Sequence, residues 1–375
     1  MTGLYIHIPF CKSRCIYCGF YSTTLLEWRQ RYVDAVCKEM EMRREEGKDG
    51  IGTVYLGGGT PSQLSSEQLQ QLFLYINKVY GMEHVTEVTM ECNPDDITPD
   101  FAEALKHLPV NRVSMGVQTF NNDRLRFLHR RHTAEQIPVA IERLRKAGIG
   151  NISIDLMFGF PGQTLQEWQN DIEKAIRLNV EHLSAYSLMY EEGTSLYQLL
   201  ENRQVEELDE ELSLQMFTTL ADRLTAAGYE HYEISNFARE RKETSYRSRH
   251  NSSYWNQTPY IGLGAAAHSY NGRDCRRWNA DNIVSYMKGI ETGHPAFEQE
   301  MLDEDTRYND IVMTALRTRE GLDCSLLTAQ QRAYCLRLAQ RFIDDGLLTL
   351  SSQHLRLTRK GLFVSNMVIS ELMKV

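Results

Sequence analysis

Three cysteines near the amino terminus have the residue type and the spacing that metal chemistry needs. Cys11, Cys15 and Cys18 follow the order C-x3-C-x2-C, directly after the apolar run Leu4–Phe10. Cysteine thiolate is the usual protein ligand of iron–sulfur clusters, and three thiolates can hold three irons of a [4Fe–4S] cluster. The fourth iron would stay open to a small molecule. The spacing and the ligand type therefore predict a cluster that takes a ligand of its own.

Two alternatives stay open for these cysteines. A zinc loop needs a fourth Cys or His to complete a tetrahedron, and His7 could supply it, although it lies inside the strand-like run. A disulfide is the second alternative, but three cysteines cannot pair evenly. The other five cysteines show no pairing pattern, and we expect them to be buried, reduced thiols.

The bulk composition is that of an ordinary globular chain. Its 375 residues are 42% hydrophobic and 24% charged, which favours one large domain with a smaller one. The net charge of −9 argues against broad binding to nucleic acid or to anionic membranes. Neither a signal peptide nor a membrane-spanning apolar stretch is found in the sequence. Together with the reduced thiols, these features predict a cytoplasmic protein that does not bind nucleic acid.

Short apolar runs alternate with stretches of helical periodicity over the first half of the chain. The predicted strands are Leu4–Ile8, Thr53–Leu56, Glu87–Glu91, Arg112–Gly116, Ser153–Met157 and His182–Ser187. The predicted helices are Glu27–Glu46, Ser65–Val79, Pro99–Lys106, Ala134–Lys146 and Leu165–Leu178. Six β–α alternations indicate an α/β fold whose parallel sheet is either doubly wound or closing toward a barrel. In both cases ligands gather at the carboxyl ends of the strands.

The pattern changes after about residue 200. A helix is predicted over Leu208–Ala227 and a short strand over Tyr229–Phe237. The aromatic-rich segment Arg247–Trp278 is long for a featureless loop, which suggests a functional role. Helical patterns and a hairpin over Leu348–Leu357 then predict a mostly α-helical, winged-helix-like end.

Polar residues stand at the ends of several predicted strands. Gly57-Gly58-Gly59-Thr60 follows the second strand, and glycines there let the backbone approach a ligand or make a tight turn. Glu91 and Asp155 are carboxylates inside apolar strands, where an unpaired carboxylate is costly, so each should face a partner such as ribose hydroxyls. Gln118 ends the fourth strand in the same way, and Arg130 is placed in the helix that follows.

The cysteine motif and the glycine-rich stretch together resemble the radical S-adenosylmethionine (SAM) superfamily. This resemblance implies a partial (β/α)6 TIM-like barrel that holds a [4Fe–4S] cluster and SAM. It implies that Cys11, Cys15 and Cys18 bind the cluster. It also implies that SAM is bound by Tyr5, Tyr17, Gly58, Gly59, Thr60, Glu91, Gln118, Arg130 and Asp155.

Five strings point to one branch of that superfamily: YIHIPFC, GGGTPS, SMGVQTF, IDLMFGFPG and HNSSYW. They resemble the oxygen-independent coproporphyrinogen III oxidases and the related HemW-type haem chaperones. The oxidases carry a fourth cysteine where this chain has Phe20, and an extension ahead of the cluster strand where this sequence begins three residues before Leu4. His250-Asn251-x-x-Tyr254 is similar to the chaperones' haem motif, which implies haem ligation by His250 with Tyr254 beside it.

The resulting functional hypothesis is a haem chaperone that delivers haem to haem proteins such as respiratory enzymes. The alternative is a radical SAM oxidase that decarboxylates coproporphyrinogen III. Haem-accepting proteins are the expected partners, with a peripheral membrane contact and a homodimer as further hypotheses. The predicted parts are a radical SAM core over residues 1–235, a connecting segment with the haem motif over 236–300, and a winged-helix-like domain over 301–375.

Overall fold

The computed structural model describes residues 1–241 and 244–374. In chain order, the strands of the large sheet are β1 Thr2–Ile8, β2 Ile51–Gly58, β3 Glu87–Cys92, β4 Arg112–Gln118, β5 Asn151–Phe158, β6 His182–Ser187, β7 Tyr229–Glu233, β8 Asn236–Arg241, β9 Thr244–Ser245, β10 Tyr260–Leu263, β11 His268–Tyr270, β12 Cys275–Asn279 and β13 Phe297–Met301. A second, small sheet contains β14 Leu322–Asp323, β15 Leu348–Ser351 and β16 His354–Leu357.

The helices lie between and after these strands. They are α1 Arg29–Met42, α2 Ser66–Tyr80, α3 Pro99–Leu105, α4 Asn122–Phe127, α5 Gln136–Lys146, α6 Leu165–Arg177, α7 Ser195–Glu201, α8 Glu210–Ala226, α9 Arg249–Trp255, α10 Ile283–Thr292, α11 Glu304–Ala315, α12 Ala329–Asp344, α13 Arg359–Phe363 and α14 Ser365–Leu372. None of the helices in the described ranges is long and apolar enough to cross a bilayer.

The large sheet has a parallel centre and antiparallel ends. Strands β1 to β6 pair in sequence order, all parallel, and β10 adds in parallel to the other side of β1. Strands β8 and β7 continue the sheet beyond β6, whereas β11, β12 and β13 continue it beyond β10. Its ends, β7 and β13, do not pair with each other in the described part of the chain. The predicted α/β fold with six β–α alternations is confirmed, and the sheet is an open one.

The central strands alternate between an apolar and a polar face. In β1, Leu4, Ile6 and Ile8 join the main hydrophobic core, while Tyr5 and His7 point the other way. A parallel sheet covered by helices on both faces usually reads as a continuous apolar run. Alternation here means that helices cover one face and that the other face lines a polar interior. That interior positions the candidate site.

Several predicted boundaries differ from the structure. The helix expected over Glu27–Glu46 consists of α1 between two 3-10 turns, Leu26–Trp28 and Arg44–Gly47. The strand expected over Tyr229–Phe237 is a hairpin of β7 and β8. Arg130 was predicted inside a helix, but α4 ends at Phe127, so Arg130 follows the helix.

Two large hydrophobic cores account for most of the described chain, and a small third cluster includes Ile16, Phe160 and Leu188. The first includes the central strands, their helices and part of the segment 236–300, since Ile261, Leu263 and Met287 belong to it. The second contains only residues from Tyr308 to Leu372 and is built by α11, α12, α14 and the small sheet. The predicted carboxyl-terminal helices and hairpin are present, with β14 as an additional strand beside β16. The segment 236–300 contributes strands β10 to β13 to the large sheet rather than a loop.

Candidate functional site

A cavity of about 600 Å³ runs from the carboxyl ends of β1–β6 down into the polar interior of the sheet. It is lined by eleven of the fourteen residues that the sequence proposed for the site: Cys11, Cys15, Tyr17, Cys18, Gly58, Gly59, Thr60, Glu91, Gln118, Arg130 and Asp155. Tyr5, His250 and Tyr254 do not line it. Parallel strands in sequence order explain this convergence, because each strand ends at the same edge of the sheet.

The cysteine loop begins after β1 and is held by its neighbours. The Cys11 amide donates a hydrogen bond to the Thr23 carbonyl at 2.9 Å. The Thr60 hydroxyl lies 3.4 Å from Cys11 Sγ, and Arg130 Nη1 lies 3.5 Å from Cys15 Sγ. Residues far apart in sequence, at the ends of β2 and after α4, therefore meet at the thiols.

Burial affects the protonation of Cys11 and Cys18. It raises the pKa of Cys18 to about 11 and also raises that of Cys11, against a lowering contribution from the Thr60 hydrogen bond. Metal ligation takes the thiolate form, so iron binding here would release protons.

The donor set fits an iron–sulfur cluster better than a zinc ion. Among the described residues, no three His, Cys, Asp or Glu side chains converge closely enough to hold a single metal ion. A [4Fe–4S] cluster gives each thiolate its own iron and does not require such convergence. His7, the candidate fourth zinc ligand, is buried and hydrogen-bonded through Nδ1 to Tyr5 at 3.0 Å and through Nε2 to the Tyr21 carbonyl at 2.9 Å. The geometry therefore favours the cluster.

Close packing explains the glycines after β2. Gly58 has a φ of +105°, and a Cβ atom there would lie 2.4 Å from the His7 ring. At Gly59, a Cβ atom would lie 2.6 Å from the Pro9 carbonyl carbon. The glycines thus let the end of β2 lie directly against the end of β1, which places Thr60 beside Cys11.

Glu91 has protein partners and also lines the cavity. The Tyr55 hydroxyl donates to its Oε1 at 2.7 Å, and the Gly58 amide donates to its Oε2 at 3.1 Å. Burial raises the pKa of Glu91 to about 7, although both hydrogen bonds act to lower it. The carboxyl group is therefore partly protonated at neutral pH.

Asp155 lies on the neighbouring wall with a weaker set of contacts. The Ser114 hydroxyl donates to its carboxylate at 3.3 Å, and burial raises its pKa, although hydrogen bonds from Ser184 and Ser114 act to lower it. Both carboxylates thus face the cavity, with hydrogen-bonding capacity left for a polar ligand.

Gln118 and Arg130 form the rim at the end of β4. Gln118 has a φ of +67° at a shift in the β4–β5 register, a left-handed conformation that is uncommon for a residue with a side chain. Arg130 donates from Nη2 to Asn93 Oδ1 and to the Gly116 carbonyl, both at 2.6 Å. Its Nε has no partner among the described residues. Protein groups therefore already bind part of the Arg130 guanidinium, which the resemblance implies for SAM binding.

His250 and Tyr254 lie at the opposite end of the sheet from the cysteines, on α9. The His250 ring has no exposed surface, and it stacks on Tyr55 with ring centroids 5.1 Å apart. Its Nδ1 is 2.8 Å from Thr53 Oγ1, and its Nε2 is 2.8 Å from the Tyr254 hydroxyl. Burial lowers the pKa of His250 to about 3, so the ring is neutral. Both ring nitrogens are engaged, and neither is free to take iron in this conformation.

Sequence reasoning missed the residues at the floor of the cavity. Arg112 and Ser184 line it from β4 and β6, and Asn251 lines it from α9. Glu87 holds α9 in place, because its carboxylate accepts from the Arg249 and His250 amides at 2.9 and 3.0 Å. A signal was present in the sequence: these strand residues fall on the same alternation as Glu91 and Asp155.

Comparison with known proteins identifies the family. Residues 5–175 match the radical SAM superfamily, and residues 302–364 match the HemN C-terminal domain. A protein named heme chaperone HemW from Bacillus subtilis (strain 168) is 34% identical, over 98% of both chains. The protein of that name from Lactococcus lactis subsp. lactis (strain IL1403) is 32% identical over 99% of this chain and 97% of its own. The chain belongs to the HemW family of radical SAM proteins.

The fold agrees with this assignment. The solved structure of coproporphyrinogen III oxidase (HemN) from Escherichia coli, a radical SAM enzyme, superposes with a TM-score of 0.84. That superposition covers 100% of this chain and 90% of the other, at 23% identity, and so shows a shared fold. Radical SAM membership implies a [4Fe–4S] cluster and SAM, and the cysteine-lined cavity fits both.

Proposed function

We propose that this HemW-family chain is a haem chaperone that binds a [4Fe–4S] cluster, SAM and haem, and passes haem to haem proteins. The observation that carries the proposal is the similarity, over nearly the full length, to proteins named heme chaperone HemW.

In this proposal Cys11, Cys15 and Cys18 hold the cluster, and the other cavity residues named from the sequence hold SAM. A bound cluster would supply one electron for reductive chemistry, while the residues of the chain bind, orient and shield the ligands. Tyr5 would support SAM binding indirectly. Its hydroxyl is hydrogen-bonded to His7, and the His7 ring packs against Gly58.

Exposed apolar side chains also stand at the mouth of the cavity, at the end of the sheet away from His250. Phe20, Met189 and Tyr186 line the cavity and are 69%, 62% and 42% exposed. Exposed apolar groups clustered at a cavity mark an interaction surface. Phe20 also occupies the position of the oxidases' fourth cysteine, which supports the chaperone over the oxidase.

Haem ligation by His250, with Tyr254 as its neighbour, is part of the proposal and requires a second conformation. The imidazole must leave Thr53 and Tyr254 before a ring nitrogen can reach iron. Losing such buried hydrogen bonds costs about 1–3 kcal/mol each. The aromatic residues Trp255 and Tyr260 nearby would then offer a bed for the porphyrin.

The test uses anaerobically reconstituted protein. We expect haem to shift the Soret band, the loaded protein to transfer haem to an apo haem protein, and coproporphyrinogen III to release no carbon dioxide. His250→Ala should lose most of the shift while keeping the absorbance of the cluster. Cys11→Ala should lose the cluster, whereas Cys335→Ala, in the second core, should keep it. Robust SAM-dependent decarboxylation by the wild type would overturn the proposal in favour of the oxidase.

Location and assembly complete the proposal. We place the chain in the cytoplasm, with a peripheral membrane contact during haem delivery and a homodimer as its assembled form. Cell fractionation and light scattering of the purified protein test these statements directly.

A further inference from the structure

Arg112 is a buried charge without a partner. It begins β4, is only 1% exposed, and lines the deep end of the cavity. Its Nε and Nη1 atoms have no hydrogen-bond partner, and no ion pair of the described residues includes it. An uncompensated buried charge carries a large desolvation penalty. A buried arginine that faces a cavity with free nitrogen atoms is therefore suited to bind an anion.

The charge of Arg112 acts on the groups around the cavity floor. Burial raises the pKa of Glu91 and of Asp155, and the Arg112 charge opposes that rise in both. Burial lowers the pKa of His182 and of His250, and the same charge lowers it further. The Arg112 guanidinium therefore lies close enough to act electrostatically on all four side chains. None of the four forms a hydrogen bond with it.

Asn251 supplies a second, independent polar group. It belongs to the HNxxY motif, lies on α9 and lines the same cavity from below. His250 and Tyr254 of that motif bond to each other, whereas no hydrogen bond of the described residues uses the Asn251 side-chain amide. The motif therefore presents its asparagine to the cavity while its histidine and tyrosine hold the floor.

We propose that Arg112 and Asn251 form a carboxylate-binding site at the floor of the cavity. An arginine fork matches a carboxylate geometrically and gives strong, charge-assisted hydrogen bonds. The inference rests on the proposed function, because the two ligands proposed for this chain, SAM and haem, both carry carboxylates. The carboxylate is common to both ligands, and the test separates the two sources.

The test compares each ligand with a form that lacks the carboxylate. SAM and decarboxylated SAM are titrated by equilibrium dialysis, and haem and haem dimethyl ester by Soret absorbance, on reconstituted protein. For the ligand whose carboxylate reaches the floor, wild type should prefer the carboxylate form by about tenfold or more. Arg112→Met should abolish that preference, Arg112→Lys should keep part of it, and Asn251→Ala should give a smaller loss.

A paired arginine outside the cavity provides the control. Arg145 donates to Glu181 at 2.9 Å and to the Gly150 carbonyl at 3.0 Å. Arg145→Met should lower the thermal midpoint and leave both ligand affinities unchanged. Arg112→Met should do the reverse, because removing an unpaired buried charge does not lower stability.

The outcomes separate this inference from the proposed function. If the protein binds SAM but no haem, and Arg112→Met loses the preference for the SAM carboxylate, the chaperone is overturned and the floor site is supported. A wild type that binds neither ligand overturns both. If Arg112→Met lowers the thermal midpoint as Arg145→Met does and leaves every affinity unchanged, Arg112 is structural and the floor site is wrong.

Discussion

At the scale of single residues, the cavity brings several buried polar groups together. Glu91 shows the consequence, since burial raises its pKa to about 7 while Tyr55 and Gly58 hydrogen-bond its two oxygens. Such a group holds a proton over a pH range in which an exposed glutamate has lost it. This difference links the cavity to the stability of the whole fold.

We predict that Glu91 makes stability depend on pH between about 4.5 and about 7. Because the folded state binds this proton more tightly, its contribution is complete below the unfolded pKa and is lost as pH rises through the folded pKa. The loss across that window is about 3 kcal/mol. Glu91→Gln should remove that slope in urea denaturation of iron-free protein. Glu103→Gln, at an exposed glutamate of α3, should keep it; an unchanged slope in Glu91→Gln would contradict the prediction.

The sequence predicted some of these residues and not others, for a physical reason. A carboxylate inside an apolar strand, as at Glu91 and Asp155, is visible because burial without a partner is costly. Arg112 shares the alternation of Glu91 and Asp155, but it stands at the first position of its strand, where a charged residue is common and the alternation alone does not single it out. That His250 is buried could not be foreseen either, because it depends on where α9 packs, and no local pattern gives that contact.

At the scale of elements, the contact between the ends of β1 and β2 decides the position of the cysteine loop. We predict that Gly58→Ala lowers the free energy of unfolding by roughly 3 kcal/mol, since the side chain adds left-handed strain and a clash with the His7 ring. Gly148 is also left-handed, but a Cβ atom there would meet nothing within 4 Å. Gly148→Ala should therefore cost only about 1 kcal/mol. Equal losses in urea denaturation would show that packing against β1 is unimportant.

The hydrogen bond between Thr53 on β2 and His250 on α9 gives a second prediction at this scale. Thr53→Val keeps the shape of the residue but leaves the buried Nδ1 of His250 without its partner. If haem takes His250 in an opened conformation, this variant lowers the cost of opening, and haem affinity should rise by up to about tenfold. Soret titration measures the rise. A fall in stability with unchanged haem affinity would mean that haem does not bind through His250.

The elements themselves were the most predictable part of the chain. The central strands and helices follow from hydrophobic periodicity, and capping boxes at Ser65 and Thr164 begin two of these helices. Strands β11 to β13 could not be predicted, because they are short, polar and stabilised by pairing with their neighbours. The turn between β7 and β8 was missed because Tyr229–Phe237 has no glycine or proline to mark it.

At the scale of the whole molecule, two hydrophobic cores meet through polar contacts. The amide of Ile234, in the β7–β8 turn, donates to the Arg317 carbonyl at 3.1 Å, and Arg317 Nε lies 3.2 Å from the buried Glu233 carboxylate. On the other side, Gln257 after α9 donates to the Thr314 hydroxyl at 2.9 Å. The carboxyl-terminal helices thus contact the segment that contains the HNxxY motif.

We predict that Arg317→Met weakens the joint between the two cores. It leaves the Glu233 carboxylate buried without its ion-pair partner, which should cost about 2 kcal/mol or more. Calorimetry should then show a separate, earlier transition for the carboxyl-terminal core. Arg341→Met removes an exposed pair with Glu371 and should cost no more than about 1 kcal/mol. A single, unshifted transition in Arg317→Met would contradict the prediction.

The outer strand β13 bears on how copies of this chain could associate. All five of its residues are exposed, and within the described part of the sheet its outer side is unpaired. Such an edge can add a strand from another molecule, and charged side chains are a common protection against that event. Two copies joined edge to edge here would bring Glu298 and Glu300 of both chains into one row of like charge. The sheet therefore discourages its own extension, and the proposed homodimer must use another surface.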